Sequence, residues 1–385
     1  MPAPASRPPL WLAAAAAASF WVAVFGFTRL IRLFLDDPYA NDFKIFYAAA
    51  KVGLGAGWSR IYDADLQRTA SAAFAVKDRV IDHEHIYAFP PLLAWIVAPL
   101  TALSEPAAFV LWTVIGLAAL VLAWAVSSPF SGLARITLLL LGLALWSVNE
   151  SLNLGQPTLL LMAVIAVAWQ QAGRNRPLVA GALVGFAVML KPQDVFLVPI
   201  ALLVSGRLQV FVGFLACAAA LAIAFVLSLG SVGINGYIGV TALVQSDSVV
   251  QFDTLAYVFG IGPVAYAAEF VVGAIAMIIA YLRRAELDIV FALGLIGSAI
   301  ASPHMHQPDY ALNLLAAWLV LRTGLGLAHG LWLVGGIPAA QFTSLAVGNP
   351  LPQLVWQVGW LGILGRNAMV RKRPAPAPAE HAPEG

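Results

Sequence analysis

Apolar runs follow one another along nearly the whole chain, at about 11–35, 88–103, 107–127, 134–148, 157–171, 178–190, 194–205, 208–228, 255–282, 287–301, 309–322, 326–347 and 350–365. Their number and spacing predict an all-α polytopic membrane protein. Several runs fall short of the ~20 residues that cross a bilayer upright, and Pro or Gly interrupts many of them. Short, interrupted runs predict broken or tilted helices arranged around an internal cavity. About 12 spans are expected. The interval from 88 to 205 leaves the count open, because two apolar runs on either side of "LSEPAA" share what the charge pattern treats as a single crossing. The first run has one arginine ahead of it and continues well beyond residues 13–18, so it is expected to be an uncleaved first span.

The polar breaks are unequal. Residues 36–87 hold eight of the 19 acidic residues, six basic residues and two histidines. Within them, "NDFKIFYAAAKVGLGAGWSRIY" places Phe43, Phe46, Tyr47, Ala50 and Leu54 on one helical face, with Lys44 and Lys51 together on another. "GLGAGW" ends that helix, and "YDADLQRTASAAF" reads as a second one capped by Asp63 or Asp65. Two short helices are expected to lie on the outer membrane surface, a lid at the boundary of lipid and water.

Composition sharpens this picture. The 385 residues are 61% hydrophobic, with mean hydropathy +0.86, more apolar surface than a soluble domain could hide. The net charge of +2 says little, but its distribution orients the chain. Arg366, Arg371, Lys372 and Arg373 place the C-terminal end in the cytoplasm, and Arg322, Arg283, Arg284, Arg207, Arg174, Arg176 and Arg135 all fall in loops of that same side. Residues 1–365 are then one transmembrane domain, with 366–385 a disordered cytoplasmic tail. Cys217, the single cysteine, excludes an intrachain disulfide and a cysteine-based metal site. No nucleic-acid partner is expected. There is no Gly-rich phosphate loop and no acidic pair suited to Mg²⁺ beside a nucleotide diphosphate, which argues against a soluble nucleotide-sugar donor.

Asp42 carries two compatible interpretations. Asn41 and Asp42 both suit a helix N-cap, and a carboxylate at that position is kept ionised by the helix dipole. An ionised aspartate at the mouth of a membrane cavity can also take a proton as a general base. Asp36 and Asp37 compete for the same role.

Four stretches carry a family resemblance: "DFKIFYAAAKVGLGAGWSRIYD", "YAFPPLLAWIVAPLTALSEPAA", "NLGQPTLLLMAVIAVAWQQAGRNRPLVAGALVGFAVMLKPQDVFLVPIALLVSGR" and "ASPHMHQPDYALNLL". In this order, from about residue 20 to 322, the chain resembles the polytopic GT-C glycosyltransferases, most closely glycosyltransferase family 87, whose members use polyprenyl-phosphate mannose. The resemblance implies a GT-C fold in a bacterial cytoplasmic membrane, with the active site on the extracytoplasmic side. It implies a polyprenyl-phosphate sugar donor, a glycolipid or glycan acceptor among the membrane lipids, and no cofactor or metal. The functional carboxylate of the first loop matches Asp42, acting as base in an inverting displacement that needs only one carboxylate.

With that resemblance, Lys191 becomes the candidate for the leaving phosphate, being the only charged residue between Arg176 and Asp194. Its plainer interpretation is a snorkelling lysine. His304 and His306 are candidates to donate to phosphate or to place a sugar hydroxyl, against a role as interfacial caps; which of the two acts is left open. Asn153 and Gln156 are candidate sugar hydrogen-bonders. Tyr39, Asn41, Lys44, Tyr62 and Tyr87 are candidate substrate contacts, the tyrosines alternatively anchoring the interface, as would Trp58. His83 and His85 are expected to be solvated. The competing function class is a transporter or flippase, which also tolerates broken helices. It would expose polar sites on both sides, whereas the polar residues here concentrate on one.

Overall fold

The computed structural model describes residues 8–82, 85–246, 253–345 and 349–370, and these are helical throughout, with no strand among them. His83, expected to be solvated, lies outside the described residues, as do residues 247–252 and, from 371 onward, the expected disordered tail; that tail's first residues, from Arg366, instead continue the last helix. The chain opens with α1 (Leu10–Asp36), then the first-loop helices α2 (Phe43–Ala56) and α3 (Ala64–Ala72). It continues through α4 (Pro91–Val97), α5 (Glu105–Ser127), α6 (Gly132–Ala144), α7 (Trp146–Leu154), α8 (Thr158–Gly173) and α9 (Pro177–Leu190). Short α10 (Pro192–Val195) and α11 (Leu197–Val204) lead to α12 (Leu208–Ser246). The remainder is α13 (Ala256–Phe259), α14 (Pro263–Leu282), α15 (Leu287–Ala301), α16 (Leu312–Leu321), α17 (Leu327–Leu345) and α18 (Leu351–Val370).

Among the described residues, four helices are long and apolar enough to cross a membrane: α1, α5, α12 and α14. The α6–α7 pair, bent by 56°, makes a fifth if it counts as one broken span. These helices turn apolar side chains outward: Trp11 is 70% exposed, Leu227 79% and Phe270 76%. Contiguous apolar surface on that scale needs lipid against it, so the protein is a membrane protein. Several other apolar runs form helices of 10–17 residues, such as Thr158–Gly173 and Leu287–Ala301. The expected dozen spans therefore resolve into a few full-length helices and many fragments. Pro91, Pro177, Pro192 and Pro263 each stand at the first position of a helix, where a missing N–H costs nothing. In α12 the chain breaks at Gly230, whose φ of 56° is left-handed.

The core centres on α15. Every residue from Ile289 to Ala301 is buried, so this helix is apolar on all sides and touches protein all round. It packs against α11, α14 and α16 and delivers the chain directly into the "SPHMHQ" loop. The most extensive helix pairing joins α9 to α12 through small residues. A Cβ at Gly181 would stand 2.0 Å from the Val210 carbonyl oxygen, and one at Gly213 would stand 2.4 Å from that of Leu178.

The first loop differs from expectation. Rather than resting on lipid, α2 buries Phe43, Phe46, Tyr47, Ala48, Ala49, Ala50, Val52 and Gly53 inside the protein, against α3, α4 and the turn at Ala98–Ala102. Protein covers Phe43, Phe46, Tyr47 and Ala50 of the apolar stripe, while Leu54 is exposed. Asp63, not Asp65, caps α3, accepting from the Leu66 N–H at 3.0 Å.

Replacing Gly181 by leucine drives a side chain into the α12 backbone. It should lower the detergent-solubilised unfolding temperature, by the equivalent of about 1–3 kcal/mol or more. Gly239→Ala, with nothing within 4 Å of its added Cβ, should leave that temperature unchanged.

Candidate functional site

Four helix ends converge. The start of α2 supplies Asp42, the α7–α8 turn supplies Gln156, the α9–α10 break supplies Lys191, and the loop after α15 supplies His304 and His306. Gly155 closes α7 in the left-handed conformation (φ 71°), letting the chain reverse so that Gln156 points back toward α2. The Asp42 N–H donates to the Leu154 carbonyl at 2.9 Å, and Gln156 Nε2 donates to Asp42 Oδ2 at 2.7 Å. Backbone and side chain of Asp42 are thus both fixed to one turn, 114 residues away in sequence.

The capping role falls to Asn41. Its Oδ1 accepts from the Lys44 N–H at 3.0 Å and its Nδ2 donates to the Pro38 carbonyl at 2.7 Å, while the Asp42 side chain makes no cap bond. Asn41 therefore spends its polar atoms on the chain's own structure and leaves Asp42 uncommitted. The competing carboxylates are less available: Asp37 pairs with Arg79 and accepts from the Tyr39 N–H, and Asp36 is exposed beside Arg32.

Electrostatics separates Asp42 from an ordinary cap. Burial raises its pKa above the usual carboxylate value of 3.8, and the Gln156 hydrogen bond, His306, Lys44 and Lys191 only partly offset this. The sequence argument for a dipole-stabilised, firmly ionised carboxylate is reversed: desolvation outweighs the donors. The two histidines are neutral. Burial pushes His304 down to about 3 and His306 below its ordinary value. Their rings meet edge to face at 4.8 Å. A neutral imidazole offers one N–H donor and one acceptor nitrogen.

His304 opens onto a groove of about 350 Å³, lined by Phe89, Pro90, Phe196, Tyr237 and Val244 among others. Gln156 Oε1 and His304 Nδ1 are among the buried polar atoms with no hydrogen-bond partner among the described residues. Buried polar atoms are ordinarily paired, so these two are open for a ligand.

The other candidates stand in different places. Lys191 is buried, its ammonium between Asp194, at 3.3 Å, and Asp309. Tyr87 is fully buried: its hydroxyl donates to the Pro90 carbonyl at 2.5 Å and accepts from the Ala94 N–H at 3.1 Å. Tyr62 donates to the Phe89 carbonyl at 2.9 Å and stacks on Tyr87. Neither tyrosine lines the groove; both hydroxyls are spent on the backbone of the "AFPP" turn that does. Asn153 donates to Glu150 at 3.3 Å, on the side facing Arg29. Tyr39 leans on Phe74, and Lys44 is half-buried near Asp42. Trp58 lies edge to face with Trp95, and His85 is exposed, paired with Asp82. Sequence reasoning missed Asp309 and Thr158, which touch each other at 3.2 Å beneath the histidines. Asp309 was visible only as a neighbour of the histidines in "HMHQPDY".

An all-helical membrane protein with a desolvated carboxylate beside an apolar groove fits an enzyme acting on a membrane-borne substrate. The family follows from comparison: the model of glycosyltransferase family 87 matches residues 87–303, more than half of the chain, and the protein belongs to that family. It is therefore a glycosyltransferase. The match begins after Asp42 and ends just before His304. Comparison with curated proteins and with solved structures returns no match for the chain.

Because the folded pKa of Asp42 exceeds the unfolded 3.8, its contribution to stability is fully present below 3.8 and is lost as pH rises through the folded value. Asp42→Asn, which mimics the protonated form, should be at least as stable as wild type at neutral pH in thermal unfolding. Infrared titration of the Asp42 carboxyl, isolated by subtraction of that variant, should show protonation above 3.8. Gln156→Leu removes a donor to the ionised form and should move it higher still.

Proposed function

We propose that the protein transfers a sugar from a polyprenyl-phosphate donor to an acceptor hydroxyl with inversion, Asp42 acting as general base. The single observation that carries this is the state of Asp42. It is desolvated, freed from capping by Asn41, aimed by Gln156, and adjacent to the histidine pair that ends the apolar groove.

The acceptor hydroxyl gives its proton to Asp42 as its oxygen forms a bond to the anomeric carbon. The bond from that carbon to the phosphate oxygen breaks on the opposite face, and the electron pair leaves on the polyprenyl phosphate. A proton affinity raised toward the operating pH makes Asp42 a stronger base than a solvated aspartate. The groove suits the first isoprene units of the donor, with the phosphate at the His304 end, where a neutral imidazole N–H donates to it. Gln156 Oε1 is placed to accept from a hydroxyl of the sugar or acceptor. Lys44, half-buried near Asp42, is a further candidate for sugar hydroxyls. The reaction as drawn uses protein side chains alone. Mannose as the donor sugar, a glycolipid or glycan as acceptor, and an extracytoplasmic active site in a bacterial cytoplasmic membrane complete the proposal; the family and the arginine distribution support them.

Purified protein supplied with polyprenyl-phosphate sugars and membrane lipid extract should transfer label. Asp42→Asn should lower that rate by about 10²–10⁴ while keeping the fold. Equal transfer by both proteins would remove Asp42 from the mechanism.

A further inference from the structure

Beneath the histidine loop a single carboxylate joins its own loop to two segments that are distant in sequence. Asp309 Oδ1 accepts from Lys191 Nζ and from Thr158 Oγ1, the latter at 3.2 Å. Its Oδ2 accepts from the His306 N–H at 3.1 Å, one half of a reciprocal cap in which the His306 side chain accepts from the Asp309 N–H. Lys191 lies 118 residues from Asp309 in sequence and Thr158 lies 151 away. All three side chains are buried. Thr158 stands two residues after Gln156, so the turn that aims Asp42 and the loop that carries both histidines rest on the same oxygen atoms.

Lys191 belongs to this junction rather than to the groove. Pro192 and Gln193 line the groove and Lys191 does not. Its ammonium has three N–H donors, and two carboxylates already face it, Asp309 and Asp194. Reaching a phosphate would strip the counter-charge from both carboxylates in a site without bulk water, an arrangement far costlier than the ion pair itself.

We infer that Lys191 and Asp309 are positioning residues. Their ion pair fixes the distance between the Asp42–Gln156 turn and the His304–His306 loop, and Lys191 acts on the donor phosphate only through that geometry. The kinetic consequence rests on the glycosyl-transfer function proposed above; the structural consequence does not.

The test uses the full-length protein in detergent and exploits the asymmetry of buried pairs, where removing one partner is costly and neutralising both is tolerated. Lys191→Gln and Asp309→Asn are made singly and together. Hydrogen exchange is followed over 154–158 and 302–311. Each single variant should speed exchange in both segments, and the double variant should return both toward wild type. Exchange at 154–158 that ignores Asp309→Asn would overturn the junction, whether or not any transfer activity is found.

In the kinetic arm, each single variant should lose at least tenfold in kcat. The double should recover most of that loss, with a donor KM within threefold of wild type. Inhibition by a short-chain polyprenyl phosphate should likewise be as strong in the double as in wild type. A donor KM and an inhibition constant that stay as weak in the double as in Lys191→Gln would make Lys191 a direct phosphate ligand and overturn the inference. Thr158→Val removes one hydrogen bond and no charge, and covers the case in which the charge variants fail to fold. It should lower kcat severalfold at unchanged donor KM and speed exchange in 302–311; wild-type behaviour in both would count against the junction equally.

Discussion

A helix that stops inside hydrocarbon exposes backbone N–H and C=O groups that no water can satisfy, and this constraint organises the whole molecule. Each segment that carries candidate chemistry is a helix interruption, and each is satisfied by another. The start of α2 gives its Asp42 N–H to the Leu154 carbonyl, and the Gly155 carbonyl next to it accepts from Trp112 Nε1 at 2.7 Å. The Leu197 N–H at the start of α11 goes to Ser298 Oγ on α15 at 2.9 Å, and the Trp146 N–H at the α6–α7 bend goes to Gln341 on α17 at 2.7 Å. Breaks that must bond to one another are thereby held together. The same breaks present polar side chains toward one another, and the candidate site is built from helix ends.

This constraint also explains how a carboxylate with raised proton affinity is tolerated. Asn41 and Asp42 are neighbours of nearly identical shape, yet they divide two tasks that one residue could not perform together. A capping carboxylate would be bound to backbone donors that hold it ionised and inert. With the amide doing the capping, Asp42 retains one strong donor, Gln156, against its desolvation.

How much of this was legible in the sequence depended on whether the signal was local. Apolar runs, their Pro and Gly interruptions, the helical faces of α2 and α3 and the Asp63 cap are written in neighbouring residues, and helices form where those patterns lie. Periodicity gives the direction of an apolar face but not what covers it. Phe43, Phe46 and Tyr47 therefore read equally well as lipid anchors and as the protein core they prove to be. Apolar runs alone do not separate full crossings from fragments, because fragments such as α8 and α15 are as apolar as a full crossing. Tyr87 and Asn41 look like substrate contacts only while their partners, the Pro90 carbonyl and the Lys44 N–H, are unseen. The junction at Asp309 has no local signature at all. Lys191 stands out as an isolated charge, but the carboxylates that engage it are set by tertiary packing.

The walls of the groove bear on how a lipid-linked donor would arrive. One wall is the "AFPP" turn with Pro192 and Phe196, held from below by Tyr62 and Tyr87. The facing wall is the part of α12 beyond the Gly230 break, which contributes Tyr237, Thr241, Val244 and Gln245. The same stretch turns Val232, Ile238 and Leu243 outward. That wall is one helix thick and apolar on its outer side. On the function proposed above, the isoprenoid chain can then remain in its own solvent while only the phosphate and sugar are drawn toward His304 and Asp42. The desolvation that makes Asp42 basic is part of the same arrangement, because an entrance flooded with water would return that carboxylate to its ordinary proton affinity.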